Sequence, residues 1–164
     1  LHAIAGPNVS DHRGRFGNAL LTRFPVRLLQ HINLSVGSYE ARGAIDAEVL
    51  AHGRRLRVVV THLGLHAGER RQQIARLLDA LVQKPVEADA MIIMGDLNEW
   101  RGRRGGIPAL DRIYAGGGAS LTAVAVHRSP LARLASDHLP LCAAVDWVAA
   151  SELMPFPRQA PSLR

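Results

Sequence analysis

Hydrophobic and polar positions along the chain follow the two-residue period of β-strands more often than the helical period. Residues 42–50 show it most clearly, because Asp46 and Glu48 alternate with apolar neighbours and predict a strand with one wet face. Three consecutive valines at 58–60 predict instead a strand covered on both faces. Apolar stretches bounded by glycine, proline or polar residues predict strands at 17–26, 31–37, 42–50, 54–62, 90–94, 110–115, 121–126 and 138–148, with a loop at 6–15.

One segment changes to helical spacing. Over residues 69–83 apolar side chains recur every three or four positions, which predicts an amphipathic helix ended by Pro85. Its apolar face is predicted to consist of Ile74, Leu77, Leu78, Leu81 and Val82. Because this helix lies between two apolar strands, those strands are expected to pair in parallel, whereas the short connections elsewhere favour antiparallel pairing. The pattern therefore predicts a mixed sheet, or a pair of sheets, with helices outside.

Composition fits one globular domain. The chain has 164 residues, 48% of them apolar and 21% charged, which excludes a disordered, collagenous or coiled-coil protein. The domain is predicted over residues 1–150, followed by a Pro- and Ser-containing tail at 151–164. Cys142 is the single cysteine, so no internal disulfide can form and a cytoplasmic location is expected. No apolar run approaches the roughly 18 residues of a membrane span, and residues 1–8 lack a signal-peptide pattern.

Basic residues outnumber acidic ones, with 20 Lys and Arg against 14 Asp and Glu and a formal charge of +6. Such an excess is typical of proteins that bind phosphates or nucleic acid. All of these basic residues except Lys84 are arginine, a bias that GC-rich coding DNA also produces. A solvated Arg-rich surface and an anionic partner are therefore both consistent with the sequence.

Polar residues follow predicted strands at four places, where a rigid scaffold would hold them at a loop-lined cleft. These are Thr61-His62, Asp96-Leu97-Asn98, Asp111 and Ser136-Asp137-His138. Each alone is also typical of turns and caps, but together they suit phosphoester hydrolysis. A hard divalent ion such as Mg²⁺ binds carboxylate and amide oxygens, which Asp96, Asn98 and Asp137 offer.

The histidines of these clusters suit proton transfer and phosphate binding. A neutral imidazole near pH 7 can take a proton from the attacking water, and a carboxylate behind it fixes its tautomer. His138 and Asp111 suit those two roles. The remaining nitrogen-bearing groups, His62 and Asn98, suit hydrogen bonds to phosphate oxygens as charge accumulates there.

The ordered motifs resemble a known superfamily. GNALLTRFPV, VVVTHLGL with the following ERRQQIARLL, IIMGDLNEW, ALDRIYA and ASDHLPL occur in the order found in the endonuclease/exonuclease/phosphatase superfamily of metal-dependent phosphoesterases. Its members include deoxyribonuclease I-like nucleases, abasic-site endonucleases, sphingomyelinases and inositol phosphatases. The resemblance implies an α+β fold, an α/β sandwich of two packed mixed β-sheets flanked by helices. It also implies Mg²⁺ or Mn²⁺ as the cofactor.

The resemblance implies a role for each motif residue. Asp96 of GDLN would position or deprotonate the attacking water. Asp96 and Asp137, the aspartate of the SDH motif, would be linked to the metal ion. His138 of SDH would be the general acid or base, oriented by Asp111 of ALDRI. Whether Asp96 or His138 is the base stays open at this point.

Substrate contacts are expected from residues next to these. His62 of THLGL would be a second phosphate-binding histidine, and Asn98 would stabilise the transition state. Trp100 and Arg101 follow GDLN directly and are expected to line the substrate. The substrate class stays open between nucleic acid, phospholipid headgroups and small phosphate esters, although the few aromatic residues disfavour a sequence-specific DNA enzyme.

The chain departs from the superfamily at its beginning. Members begin with a strand ending in an asparagine and a later strand ending in the glutamate that is the main metal ligand, and neither motif is present. The sequence is therefore expected to be an N-terminally truncated domain that binds Mg²⁺ weakly or not at all. The alternative function is a catalytically incomplete fragment, or a module that binds a phosphate-bearing partner without turnover. Missing strands would expose sheet edges, which predicts self-association through those edges.

Overall fold

The computed structural model describes residues 1–12, 14–99 and 110–148, so the end of the predicted domain and its tail lie outside the described residues. The elements of the described part, in chain order, are β1 His2–Asp11, β2 Gly14–Thr22, β3 Val26–Asn33, β4 Gly43–Ala51, β5 Arg54–His62, α1 Ala67–Gln83, β6 Ala90–Asp96, β7 Asp111–Gly117, β8 Ala119–Val126, α2 Pro130–Ala135 and β9 Leu141–Trp147. Among these residues no helix is both long and apolar enough to cross a membrane.

A five-stranded mixed sheet in the order β3-β4-β5-β6-β7 forms the centre of the fold. The predicted parallel pair is confirmed, because β5 and β6 pair in parallel across α1, while β3–β4, β4–β5 and β6–β7 are antiparallel. Two antiparallel pairs, β1–β2 and β8–β9, complete the described strands. The predicted fold class, an α/β sandwich of packed sheets with flanking helices, is confirmed.

The two faces of the central sheet carry separate apolar clusters. Helix α1 packs on one face, where Leu77 and Leu81 lie against Val59 and Leu63. The opposite face is covered by β1–β2 and by Trp147 of β9, which belong to a second cluster with Ile45, Ala47, Val49 and Val58. Alternating residues of β4 and β5 thus supply both clusters, and the prediction that the valines of β5 are covered on both faces is confirmed.

The predicted apolar face of α1 is only partly correct. Leu77 and Leu81 are buried, but Ile74, Leu78 and Val82 are 44%, 52% and 78% exposed. Two polar side chains of α1, Glu69 and Gln73, are buried instead. In this orientation Gln73 bonds to the loop after β5, a contact that the apolar spacing of the helix does not reveal.

The predicted wet face of β4 is wrong at Asp46. This carboxylate is fully buried, and Arg57 of β5 donates to it from Nε to Oδ1 at 2.9 Å and from Nη2 to Oδ2 at 2.7 Å. Gln30 of β3 donates a further hydrogen bond to Oδ2 at 2.9 Å. Carbonyl oxygens of α1 lie over this part of the sheet, so Asp46 faces a partner element rather than water, whereas Glu48 is half-buried and pairs with the exposed Arg27.

The loop predicted at residues 6–15 is also wrong, because most of it belongs to the β1–β2 hairpin. Glycines in these strands indicated a loop, but they allow two backbones to approach closely. A Cβ on Gly17 would collide with the carbonyl oxygen of Gly6. The side chain of Asn18 donates to the carbonyl oxygen of Gly43 at 2.8 Å, which ties the hairpin to the beginning of β4.

Candidate functional site

Three predicted site residues lie in one row across the end of the central sheet. In the register of the parallel pair His62 lies opposite Asp96, and in the antiparallel pair Asp96 lies opposite Asp111. Neighbouring strands are about 5 Å apart, so the row places the three side chains within reach of one small ligand. Sheet pairing alone therefore brings together residues that are far apart in the sequence.

The turn after β6 is fixed by its backbone. Gly95 has φ 139°, and a Cβ there would collide with the carbonyl oxygen of Thr61. Asn98 has the left-handed φ of 49°, and its N–H donates to Asp96 Oδ1 at 2.8 Å. Its side-chain Nδ2 donates to the carbonyl oxygen of Leu63 at 2.8 Å and lies 3.2 Å from His62 Nε2. Asn98 is buried and joins the loops after β5 and β6, so its predicted contact with the phosphate stays a prediction.

His138 reaches the row from the loop before β9. Its Nδ1 donates to Asp111 Oδ2 at 3.0 Å and lies 3.9 Å from Asp96 Oδ2. Its backbone N–H donates to Ser136 Oγ at 3.1 Å, which shapes the loop. The hydrogen bond to Asp111 raises the pKa of His138 above its ordinary value, a shift that partial burial opposes. Asp111 thereby leaves Nε2 as the ring nitrogen for a ligand.

His62 is in the opposite electrostatic situation. Burial lowers the pKa of His62, and the nearby Arg42 lowers it further. Arg42 Nη1 donates to His62 Nδ1 at 3.4 Å, and His62 Nε2 lies 3.5 Å from Asp96 Oδ2. Burial and Arg42 thus favour the neutral form of His62, whereas the hydrogen bond to Asp111 favours the protonated form of His138.

The sequence reasoning missed the residues that hold the His62 loop. Gln73 Oε1 accepts the N–H of Gly64 at 2.8 Å, and Gln73 Nε2 donates to Glu69 Oε1 at 2.8 Å. Arg42, just before β4, was also missed. The only sequence signal for Glu69 and Gln73 is their helical spacing, and Arg42 carries no signal at all because loop and surface arginines are common in this chain.

The described residues do not provide a complete set of ligands for the predicted metal ion. Asp137 is exposed, and its Oδ1 accepts a hydrogen bond from Ser136 Oγ at 3.4 Å. Nowhere in residues 1–12, 14–99 or 110–148 do three His, Cys, Asp or Glu side chains form a group that would hold a metal. The described residues therefore do not fit a Mg²⁺ site by themselves. Trp100 and Arg101 lie outside the described residues.

Replacing Asp111 with asparagine is expected to lower the pKa of His138. The carboxylate stabilises the protonated ring through the hydrogen bond, so its loss returns the pKa toward the ordinary value of about 6.5. A pH titration of the His138 ring signals by NMR measures the shift. Asp146→Asn, in the exposed part of β9, is the matched control and is expected to leave the pKa unchanged. An unaltered His138 pKa in the Asp111 variant would contradict the assigned contact.

The fold and the row of side chains define a class of α/β sandwich proteins with known structures. The chain is similar to the endonuclease/exonuclease/phosphatase from Beutenbergia cavernae, with a TM-score of 0.71, 20% identity and coverage of 91% of this chain and 54% of that one. It is also similar to the human Nocturnin catalytic domain with bound sulfate anion, with a TM-score of 0.60, 19% identity and coverage of 90% and 72%. At these identities the likeness concerns the fold.

The sequence pattern of the Endonuclease/Exonuclease/phosphatase family matches residues 2–138, and the chain belongs to this family. The predicted family resemblance is thus confirmed. A curated relative, "Uncharacterized protein YbhP" of Escherichia coli strain K12, is 31% identical over 98 residues, which are 58% of this chain. The aligned region is 38% of YbhP, so the chain spans well under half the length of this relative.

Proposed function

We propose that this protein hydrolyses phosphate esters, with phosphodiesters as the main substrates, by in-line attack of an activated water. The observation that carries the proposal is the meeting of His62, Asp96 and Asp111 in one row, with His138 3.0 Å from Asp111. Four side chains with these chemistries at one sheet end match the needs of phosphoester hydrolysis. Family membership supports the same reaction class.

In this proposal His138 transfers the proton of the reaction. Its Nδ1 is occupied by Asp111, which fixes the tautomer and leaves Nε2 to exchange a proton with water or the leaving group. The raised pKa makes His138 a stronger base than a free histidine. Asp96 has one oxygen bonded to the Asn98 N–H, and its other oxygen lies between the two histidines, where it would orient the attacking water.

The phosphate would be held by His62. Arg42 donates to Nδ1, so the neutral ring carries its proton on Nε2 and would offer that N–H to a phosphate oxygen; in this state the Asn98 amide, 3.2 Å from Nε2, does not donate to the ring. Burial keeps the ring neutral by lowering its pKa. In a partly water-excluded site such a donor is stronger than in water, and it stabilises the charge that develops on the phosphate.

A substrate screen tests the proposal. Bis-p-nitrophenyl phosphate, single-stranded DNA and duplex DNA are incubated with the chain in the presence of Mg²⁺ or Mn²⁺, and product formation is measured. We expect turnover of the small diester that is lost in Asp96→Ala. DNA cleavage far above the small diester would show a nuclease instead, and no turnover of any ester would contradict the proposed reaction for this chain.

A second candidate function is binding of a phosphate-bearing partner without turnover. The incomplete metal ligand set among the described residues favours it, because divalent ions provide much of the charge stabilisation in phosphoester hydrolysis. We expect calorimetric titration of the chain with Mg²⁺ to give weak binding without a defined stoichiometry. Tight stoichiometric Mg²⁺ binding would contradict this expectation and remove the reason for the second candidate.

A further inference from the structure

A small cavity continues the candidate site on the far side of His62 from Asp96. It has a volume of about 160 Å³, and its polar lining residues are Asn8, Asn18, Glu40, Arg42 and His62. Whole small-molecule ligands usually occupy about 300–1,000 Å³, so this cavity has room for one chemical group rather than a complete substrate. Because His62 lines it, a group bound there would be next to the phosphate at the candidate site.

Arg42 brings a buried positive charge to this cavity. Its side chain is only 10% exposed, and Nη1 lies 3.1 Å from Glu40 Oε1 and 3.4 Å from His62 Nδ1. The Nε atom is buried and has no hydrogen-bond partner within the described part of the chain. Buried polar atoms in native proteins almost always have a partner, so an unpaired one indicates a bound group, ion or water.

The ion pair with Glu40 leaves Arg42 able to bind another anion. The Glu40 side chain is 63% exposed, so water screens its charge and the ion pair contributes little to stability. A ligand anion entering the cavity would compete with an exposed, solvated carboxylate rather than with a buried one. The arginine is therefore held in place by the protein while its anionic partner is exchangeable.

We propose that this cavity binds a second phosphate group of the substrate, adjacent to the phosphate that is cleaved, and that Arg42 recognises it. The inference rests on the proposed function, whose scissile phosphate lies at His62. A planar guanidinium matches the oxygens of a phosphate and forms charge-assisted hydrogen bonds with it. Preferred substrates then carry two neighbouring phosphates, as do both oligonucleotides and phosphorylated inositol headgroups.

Calorimetric binding to the full chain tests the proposal without requiring turnover. The probes are the dinucleotide TpT with one phosphate, pTpT with two, and inositol 4,5-bisphosphate as a headgroup with two phosphates on adjacent ring carbons. Because Arg42 also contacts His62, Arg42→Gln is expected to weaken TpT as well, but to weaken a two-phosphate probe by about tenfold more than TpT, the contribution of a charge-assisted hydrogen bond. Loss with pTpT alone assigns the site to nucleic acid, and loss with the inositol probe alone assigns it to headgroups.

Two further variants keep the test independent of folding defects. Glu40→Gln removes the competing carboxylate at an exposed position and is expected to tighten pTpT binding by about threefold, as for an exposed ion pair. Arg27→Gln is the charge-matched control, because Arg27 is an exposed arginine paired with Glu48 on the same sheet. It is expected to leave all three affinities unchanged.

Equal weakening of TpT and of both two-phosphate probes in Arg42→Gln would overturn the proposal, and so would unchanged binding of both two-phosphate probes or no measurable binding of either one to the unmodified chain. These outcomes are separate from failure of the proposed function. A chain that binds pTpT through Arg42 but hydrolyses no ester would contradict the proposed hydrolysis and leave the second phosphate site in place.

Discussion

Replacing His138 with alanine is expected to lower the turnover of a phosphate ester by about a thousandfold. A positioned general acid or base contributes about 10²–10⁴-fold to a rate, and His138 is the group that Asp111 orients for this role. The fold should persist, because His138 lies on a loop and its ring contacts the site rather than either apolar cluster. Steady-state kcat on the diester identified by the screen, together with a thermal melt, measures both effects.

His127→Ala is the matched control for this prediction. His127 is an exposed histidine whose Nε2 lies 3.0 Å from Ser129 Oγ rather than beside Asp96 or Asp111. We expect its kcat to equal that of the unmodified chain. If His138→Ala retained more than about a tenth of the activity, proton transfer by this residue would be excluded as a main contribution.

Replacing Asp46 with alanine is expected to reduce the free energy of unfolding by about 3–5 kcal/mol. The substitution leaves the guanidinium of Arg57, which is 3% exposed, as an uncompensated buried charge. Urea unfolding followed by circular dichroism measures the loss. Breaking an exposed pair gives the comparison: Glu87→Ala removes the partner of Arg55 and is expected to change stability by less than about 1 kcal/mol.

A double variant separates the buried charge from the contact itself. Asp46→Leu combined with Arg57→Met replaces the ion pair by apolar side chains, which is often neutral or stabilising in proteins. We expect this variant to recover most of the stability lost in Asp46→Ala. An Asp46→Ala chain as stable as Glu87→Ala would show that Arg57 finds water or another acceptor after the carboxylate is removed.

Local sequence pattern predicted four strands of the central sheet well, but it was wrong for β3, which the pattern placed at residues 31–37 and the structure has at Val26–Asn33. The run of valines and its polar flanks placed β5 at residues 54–62, as the structure has it. Helical spacing likewise predicted α1, which begins two residues before the predicted 69. These elements are determined by side chains within the element, so their pattern is visible without knowledge of the fold.

Burial depends on the partner element and was predicted less well. The alternation in β4 shows that Asp46 and Ala47 face opposite sides, but not that α1 covers the side of Asp46. In the same way the spacing of α1 does not reveal that Gln73 bonds to Gly64 and turns Leu78 toward solvent. Burial of this kind depends on how two elements pack together, and the sequence of one element alone does not show it.

The site residues likewise differ in whether the sequence alone could identify them. Motif resemblance pointed to Asp96, Asp111 and His138, whose chemistry is written in short sequence segments, and the sheet register brings the first two side by side. Arg42 stands in no motif, and its importance follows from burial beside His62 and an unpaired Nε. Residues that belong to no motif, such as Arg42, are identified only when the distances to their neighbours are known.

The separation of β8–β9 from the central sheet has a consequence for the dynamics of the protein. This pair forms its own two-stranded sheet with most residues exposed, and it is joined to the rest of the described chain by Trp147 in the second apolar cluster and by the Gly118 N–H, which donates to the carbonyl oxygen of Asp89 at 2.8 Å. Two-stranded sheets are marginally stable alone. We expect the amide hydrogens of this pair to exchange faster than those of β4 and β5, because fewer of its residues are buried. The hydrogen bond from His138 to Asp111 joins the loop next to this pair to the central sheet, so we expect it to be the site contact that local opening of the pair disturbs first.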